Sequence, residues 1–347
     1  MSSSFLYSEI HDQPAVLARL LEQEASTVRR LAESLRTRHP NYVLIAARGT
    51  SDNAGVYGKY LFGSLLGLPV ALATPSLYTL YNQPPRVDGA LVIGISQSGQ
   101  SPDIVAVLEH ARESGAPTVA ITNDPQSRLA LAADHVIQLH AGAERSVAAT
   151  KTYTAQLMVL AMLASYVADS AEHIEALQRV PEAVARTLSL HDYVATIAER
   201  YRYMEKCVVI GRGYNYATAF EMALKLKELT YVLAEPYSSA DFRHGPLALV
   251  EDGFPVLVAA PKSQVYAEVV DLLKGLGGRG AERLVISDGE EALAEARTPI
   301  ALPVSLPEWL SPFTAIIPGQ LLALSLTLAK GYEPDHPRGL RKVTETR

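Results

Sequence analysis

Short unbroken apolar runs, each ending in small polar residues, punctuate the first part of the chain. They are Tyr42–Ala47, Pro69–Ala73, Ala90–Ile95, Pro117–Ile121 and His135–Leu139. Continuous rather than alternating apolarity predicts strands covered on both faces, the pattern of a parallel sheet between helical layers. Helical segments separate several of these runs. Ahead of the first, Leu17, Leu20, Leu21, Val28, Leu31 and Leu35 share one stripe, and Pro14 suits a first turn. Residues 14–38 therefore read as a helix.

The series then returns. CVVIGRGYNYA (207–217) echoes VLIAARGTSDNA (43–54), and the arginines Arg48 and Arg212 lie 164 positions apart. LVISDG (284–289) echoes VAITND (119–124), with Thr122 and Ser287 separated by 165. PVLVAAPKS (255–263) echoes LVIGISQS (91–98) at nearly the same offset. Three echoes at one spacing predict a duplicated α/β domain. The connecting helical segment near 170–200 divides the chain into a first domain, 1–190, and a second, 191–347.

A length of 347 residues agrees with two domains. Apolar residues at 48% and charged residues at 20% describe an ordinary globular balance. A net charge of −6 with no basic block argues against a nucleic-acid surface. The single cysteine, Cys207, falls in a predicted strand; it can form neither an internal disulfide nor a multi-cysteine metal site, which suits a reducing cytoplasm. The start, MSSSFLYSEIHDQ, lacks the basic and apolar regions of a signal peptide. Leu157–Ala168 is too short to span a bilayer and reads as a core helix, so no membrane partner is expected.

Candidate chemistry gathers where predicted strands end. Ser96-Gln-Ser-Gly-Gln-Ser101 follows one strand and precedes a helix beginning at Pro102; Arg48-Gly-Thr-Ser51 follows another. Ligands of open α/β sheets bind beyond the carboxyl ends of strands. Orphan N–H groups and the helix dipole favour an anion there, serine hydroxyls add donors, and Gly99 allows close backbone approach. Plain helix capping by serine is the competing reading.

Farther on, Glu221, Lys225 and Glu228 fall at i, i+4 and i+7 of a predicted helix over 217–232 and share a stripe. That stripe is either a solvated face with an ion pair or a polar strip in a cleft. His244 precedes Gly245-Pro246 and is predicted to lie in a loop. No histidine spacing matches a metal site. Gly211-Arg-Gly213 lacks the third glycine of a dinucleotide fingerprint. Glu235 could serve as its ribose acid, but Pro236 follows and no strand is evident there, so that signal is set aside.

Taken together, GTS (49–51), SQSGQSPD (96–103), ERSVAATKTYT (144–154), the long ALKLKELTYVLAEPYSSADFRHGPLAL (223–249) and DHPRGLRKVT (335–344) closely resemble the sugar isomerase (SIS) family. The likeness is greatest to the isomerase half of glutamine–fructose-6-phosphate amidotransferases and to glutaminase-free glucosamine-6-phosphate deaminases. It implies two tandem SIS subdomains, each a flavodoxin-like αβα sandwich, assembled as a dimer. It implies a phosphate site at Ser51, Ser96, Gln97, Ser98 and Ser101, with Thr50 and Val147 nearby. It makes Glu228 the base that moves a proton between C1 and C2, with Glu221 and Lys225 in support. His244 becomes the ring-opening residue, supplied across the dimer interface, and Lys342 the amine that forms a Schiff base with the ketose C2 carbonyl. One departure is Ala149, where the family often carries a sugar-contacting serine.

The expected activity is conversion of glucosamine 6-phosphate to fructose 6-phosphate and ammonia, with no metal or nucleotide cofactor. No glutaminase domain fits before residue 42, so glutamine hydrolysis is not expected. Ammonia-dependent synthesis of glucosamine 6-phosphate and a fructosamine-6-phosphate deglycase remain enzymatic alternatives. A sugar-phosphate sensor without catalysis is the alternative of another class.

Overall fold

The computed structural model describes residues 4–342. Among these, ten strands form two five-stranded sheets in which every pairing is parallel. The first sheet contains β1 (Tyr42–Ala46), β2 (Val70–Leu72), β3 (Ala90–Ile95), β4 (Thr118–Thr122) and β5 (His135–Gln138), in the order β2-β1-β3-β4-β5. The second contains β6 (Lys206–Gly211), β7 (Leu233–Ser238), β8 (Pro255–Ala259), β9 (Glu282–Ser287) and β10 (Thr298–Ala301), in the order β10-β9-β8-β6-β7. From its β7 edge the second sheet repeats the first strand for strand. The order is the flavodoxin-like one, with its reversal between β1 and β3 and again between β6 and β8. First residues of equivalent strands stand at 42 and 206, 90 and 255, and 118 and 282, so the duplication predicted from the echoes is structural.

Burial explains the pattern of the runs. β3, β4 and β8 are central and buried at every position, whereas the edge strands β2, β5, β7 and β10 are partly exposed. A strand covered by helices on both faces leaves no position for a polar side chain, and an edge strand does. The edge also accommodates Pro236. The structure places it inside β7, where the sequence shows no evident strand, because a residue without an N–H can sit on a strand that pairs on one side only.

Two compact units partition the chain. One comprises Ala15–Glu144, Lys151–Arg179 and the stretch from Arg341, and holds β1–β5. The other comprises the stretch to Pro14, Arg145–Thr150 and Val180–Leu340, and holds β6–β10. In the first, helix Lys151–Val167 is buried from Lys151 to Tyr166, the core helix expected of that apolar run. In the second, helix Ser311–Ala329 packs on helix Asn215–Thr230. A Cβ on Gly319 would lie 2.4 Å from the Met222 side chain, so glycine sets the approach of these two helices. Among the described residues one stretch, Glu308–Ala329, is long and apolar enough to cross a membrane, and 89% of its most apolar window is buried inside the protein. Scattered Ser, Thr, Pro and Gln residues conceal this run in the sequence.

Candidate active site

The first sheet brings the two serine-bearing loops together at its reversal point. β1 and β3 are adjacent and in register to the end of β1, Ala46 opposite Gly94. Helix Thr50–Leu66 starts after one and helix Pro102–Glu113 after the other. The Arg48 guanidinium joins the loops: Nε and Nη2 each lie 2.8 Å from Asp103 Oδ2, and Asp103 is wholly buried. Their pairing was not foreseen from sequence, because nothing in the spacing of 48 and 103 shows that they meet.

The capping reading does not hold at this site. Ser101 occupies the N-cap position of its helix, yet its side chain makes no cap bond, and the N-cap before Thr50 is Gly49. Ser96 Oγ accepts from the Gly99 N–H (3.1 Å) and Ser98 Oγ from the Gln100 N–H (3.3 Å). Both oxygens shape the turn, and neither hydroxyl donates to an acceptor among the described residues. Ser51 Oγ accepts from the buried amide of Gln156 (3.0 Å), which fixes its orientation. Gly99 answers an internal demand: its φ is +62°, and a Cβ there would lie 2.1 Å from Ser127 Oγ. Burial raises the Asp52 carboxyl, against the opposing charges of Arg48 and Lys59. The loop after β3 thus offers two hydroxyl donors beside a helix start, a setting that suits an anion.

The second sheet has the same reversal point, but an anion already stands there. The Glu308 carboxylate accepts from the Gln264 N–H (2.9 Å) in the loop after β8. A Cβ on Gly213 would lie 3.6 Å from Glu308 Oε1. The Gly211-Arg-Gly213 motif has a local reason as well. Gly213 has φ +59°, and a Cβ on Gly211 would lie 2.0 Å from the Asn215 carbonyl oxygen.

Glu221, Lys225 and Glu228 do meet on helix Asn215–Thr230, and the solvated-face reading is overturned. Glu221 is 0% and Lys225 1% exposed, whereas Glu228 is 23% exposed. Lys225 Nζ lies 3.4 Å from Glu221 Oε1 and 2.6 Å from Glu228 Oε2. One buried ammonium thus serves a buried carboxylate and one that reaches the surface. Glu228 Oε1 receives no hydrogen bond among the described residues.

His244 is exposed and terminates the short helix Ser239–Arg243, beside Gly245 at φ +145°. It is in the loop expected of it and touches none of the other candidates. Lys342 is paired with a buried carboxylate: Nζ lies 2.8 Å from Oε2 of Glu144, whose side chain is 0% exposed. Val343 and Thr344 of the tail motif lie outside the described residues.

Val147 and Ala149 are half-buried on the loop that follows Glu144. That loop is tied down by Glu9, whose buried carboxylate accepts from the N–H groups of Arg145 and, at 3.2 Å, Ser146. Asp335 closes the same knot, accepting from the Phe5 and Leu6 N–H groups at 2.8 Å each. Glu9, Glu144 and Asp335 were missed because residues hundreds of positions apart carry no joint signal.

Cys207 is buried in β6, and its thiol is pushed up to about 12 by burial and by the nearby Glu235 charge. A thiol held protonated is a poor nucleophile. Ellman's reagent at pH 8 is expected to label it only after unfolding; rapid labelling of the native protein contradicts this assignment.

The SIS domain family model matches residues 35–166 and again residues 202–330, one match over each sheet. The chain is a member of the SIS domain family. Among its relatives is the glutamine–fructose-6-phosphate aminotransferase (isomerizing) of Zymomonas mobilis, 34% identical over 97% of this chain and 58% of that protein. The chain therefore spans little more than half the length of that relative. A chain from Silicibacter pomeroyi, provisionally named a phosphosugar isomerase, is 36% identical with a TM-score of 0.87, covering 96% of this chain and 100% of that one. The C-terminal domain of glucosamine-fructose-6-phosphate aminotransferase from Francisella tularensis is 28% identical with a TM-score of 0.85, over 96% and 98%. As in a tandem SIS protein, both repeats keep the strand order, while the serine donors belong to the first and the carboxylate–lysine cluster to the second.

Proposed function

We propose that this SIS protein is a phosphosugar isomerase that deaminates glucosamine 6-phosphate to fructose 6-phosphate and ammonia. The observation that carries the reading is Glu228, partly exposed, with one oxygen on a buried lysine and the other open. The names of its relatives supply the substrate class. Ser51, Ser96, Gln97, Ser98 and Ser101 hold the phosphate, with Thr50 beside them. His244 opens the sugar ring by moving a proton between the ring oxygen and O1, and its exposed loop suits supply from a partner copy in a homodimer. Glu228 takes the C2 proton, leaving an enolamine, and returns it to C1. The C2 imine that results adds water and releases ammonia, so substrate plus water balances ketose plus ammonia. Lys342 forms a Schiff base at C2 of the ketose.

The aminotransferase relatives favour a second direction, in which ammonia and fructose 6-phosphate are joined by the same steps reversed. Neither direction draws on Cys207 as a glutamine-attacking thiolate. Mixing the purified chain with glucosamine 6-phosphate and following both products tests the proposal. Equal yields of ammonia and fructose 6-phosphate are expected. Product only in the reverse mixture, with added ammonium, assigns synthesis; no turnover either way sinks glucosamine 6-phosphate as the substrate and leaves another phosphorylated amino sugar, such as a fructosamine 6-phosphate, or a sensor.

A further inference from the structure

We infer that Glu144 is the positioning residue that holds the Lys342 amine for its reaction with the sugar carbonyl. This rests on the reading of Lys342 as the amine that meets C2. The Glu144 carboxylate is bound at both oxygens. Oε1 accepts from the Thr152 N–H (3.1 Å), and Oε2 accepts from Thr152 Oγ (2.8 Å) and Lys342 Nζ (2.8 Å). Thr152 belongs to the first turn of the buried helix Lys151–Val167, so the carboxylate is anchored to a rigid element.

Lysine presents a compact charge on a flexible four-carbon stem, so a side chain that nothing holds samples many rotamers. Upstream, the tail is held at Arg338, whose N–H donates to Tyr231 Oη (2.9 Å) and whose guanidinium lies 4.0 Å from the Tyr231 ring centroid. Leu340 beyond it is exposed. The Glu144 pair then fixes the ammonium at a boundary, with the Lys342 side chain 25% exposed and its partner fully covered.

Thr152 suffices for capping the helix; the lysine is a further donor on Oε2. The contact also provides for the proton that must leave before the amine can attack. Oε2 takes it, the free amine adds to C2, and the carbinolamine loses water to give the imine. Atoms balance as amine plus ketone gives imine plus water.

The test is borohydride trapping with fructose 6-phosphate, read by intact mass and peptide mapping. The unaltered chain is expected to gain a reduced sugar adduct on Lys342. Glu144→Gln keeps the size of the side chain and an acceptor for Thr152. It is expected to slow trapping about tenfold or more while fructose 6-phosphate affinity by calorimetry stays within about threefold. Glu144→Asp, which keeps the charge, is expected to recover part of the rate. Thr152→Val, which disturbs the cap and not the ammonium, is expected to lower the melting temperature and retain trapping. No adduct in the unaltered chain removes Lys342 from the mechanism, and this inference with it. An adduct formed equally fast in Glu144→Gln overturns the role of Glu144 alone. Equal loss of trapping in Thr152→Val reduces Glu144 to a helix cap and overturns it too.

Discussion

Glu228→Gln is expected to lower turnover of glucosamine 6-phosphate by about 10²–10⁴-fold, the contribution of one well-placed general base. The substitution keeps the shape of the side chain and an oxygen to accept from Lys225, whose ammonium lies 2.6 Å away. It removes the proton acceptor at the open oxygen. The serines proposed to hold the phosphate are on other loops, so phosphosugar binding is expected to stay within about tenfold, or about 1.4 kcal/mol. Steady-state kinetics of ammonia release, paired with calorimetric titration, separates the two effects. Unchanged turnover eliminates Glu228 as the base. A fall in binding that matches the fall in turnover shows instead that the carboxylate only helps hold the sugar.

Lys225→Met costs about 3–5 kcal/mol of stability, the usual penalty for removing one partner of a buried ion pair. Lys225 is 1% exposed and Glu221 0%. The methionine fills the volume of the stem but withdraws the cation from beside a buried carboxylate, which then pays desolvation without its compensation. Glu221→Gln in the same background is expected to restore a large part of the loss, because the carboxylate charge goes as well. Urea denaturation of the single and double variants measures both. A single variant within about 0.5 kcal/mol of the parent, the range of ordinary surface substitutions, places the cluster in solvent, contrary to the burial described above.

The difference between what was legible and what was not follows the range of the interactions. The strands β1, β3 and β4 were visible because a strand between two helical layers must be apolar at successive positions, and Tyr42–Ala47, Ala90–Ile95 and Pro117–Ile121 record that locally. β7 was hidden because an edge strand tolerates Glu235 and Pro236. The i, i+4, i+7 spacing put Glu221, Lys225 and Glu228 on one stripe, but periodicity is silent on whether a stripe faces water. Tertiary packing of helix Asn215–Thr230, which lies against Ser311–Ala329, β7 and β6, leaves the first two buried and the third partly exposed.

By itself, the sequence determined the duplicated α/β architecture, the two serine loops at strand ends and the motif set of the SIS family. Those are properties of short windows and of their recurrence. Tertiary structure alone decided that Arg48 would meet Asp103, that Glu308 would stand at the second reversal point, and that Glu144 would hold Lys342 across 198 positions. The physical reason is that a hydrogen bond or ion pair depends on distance in space. A sequence records that distance only for neighbours along one helix, strand or turn.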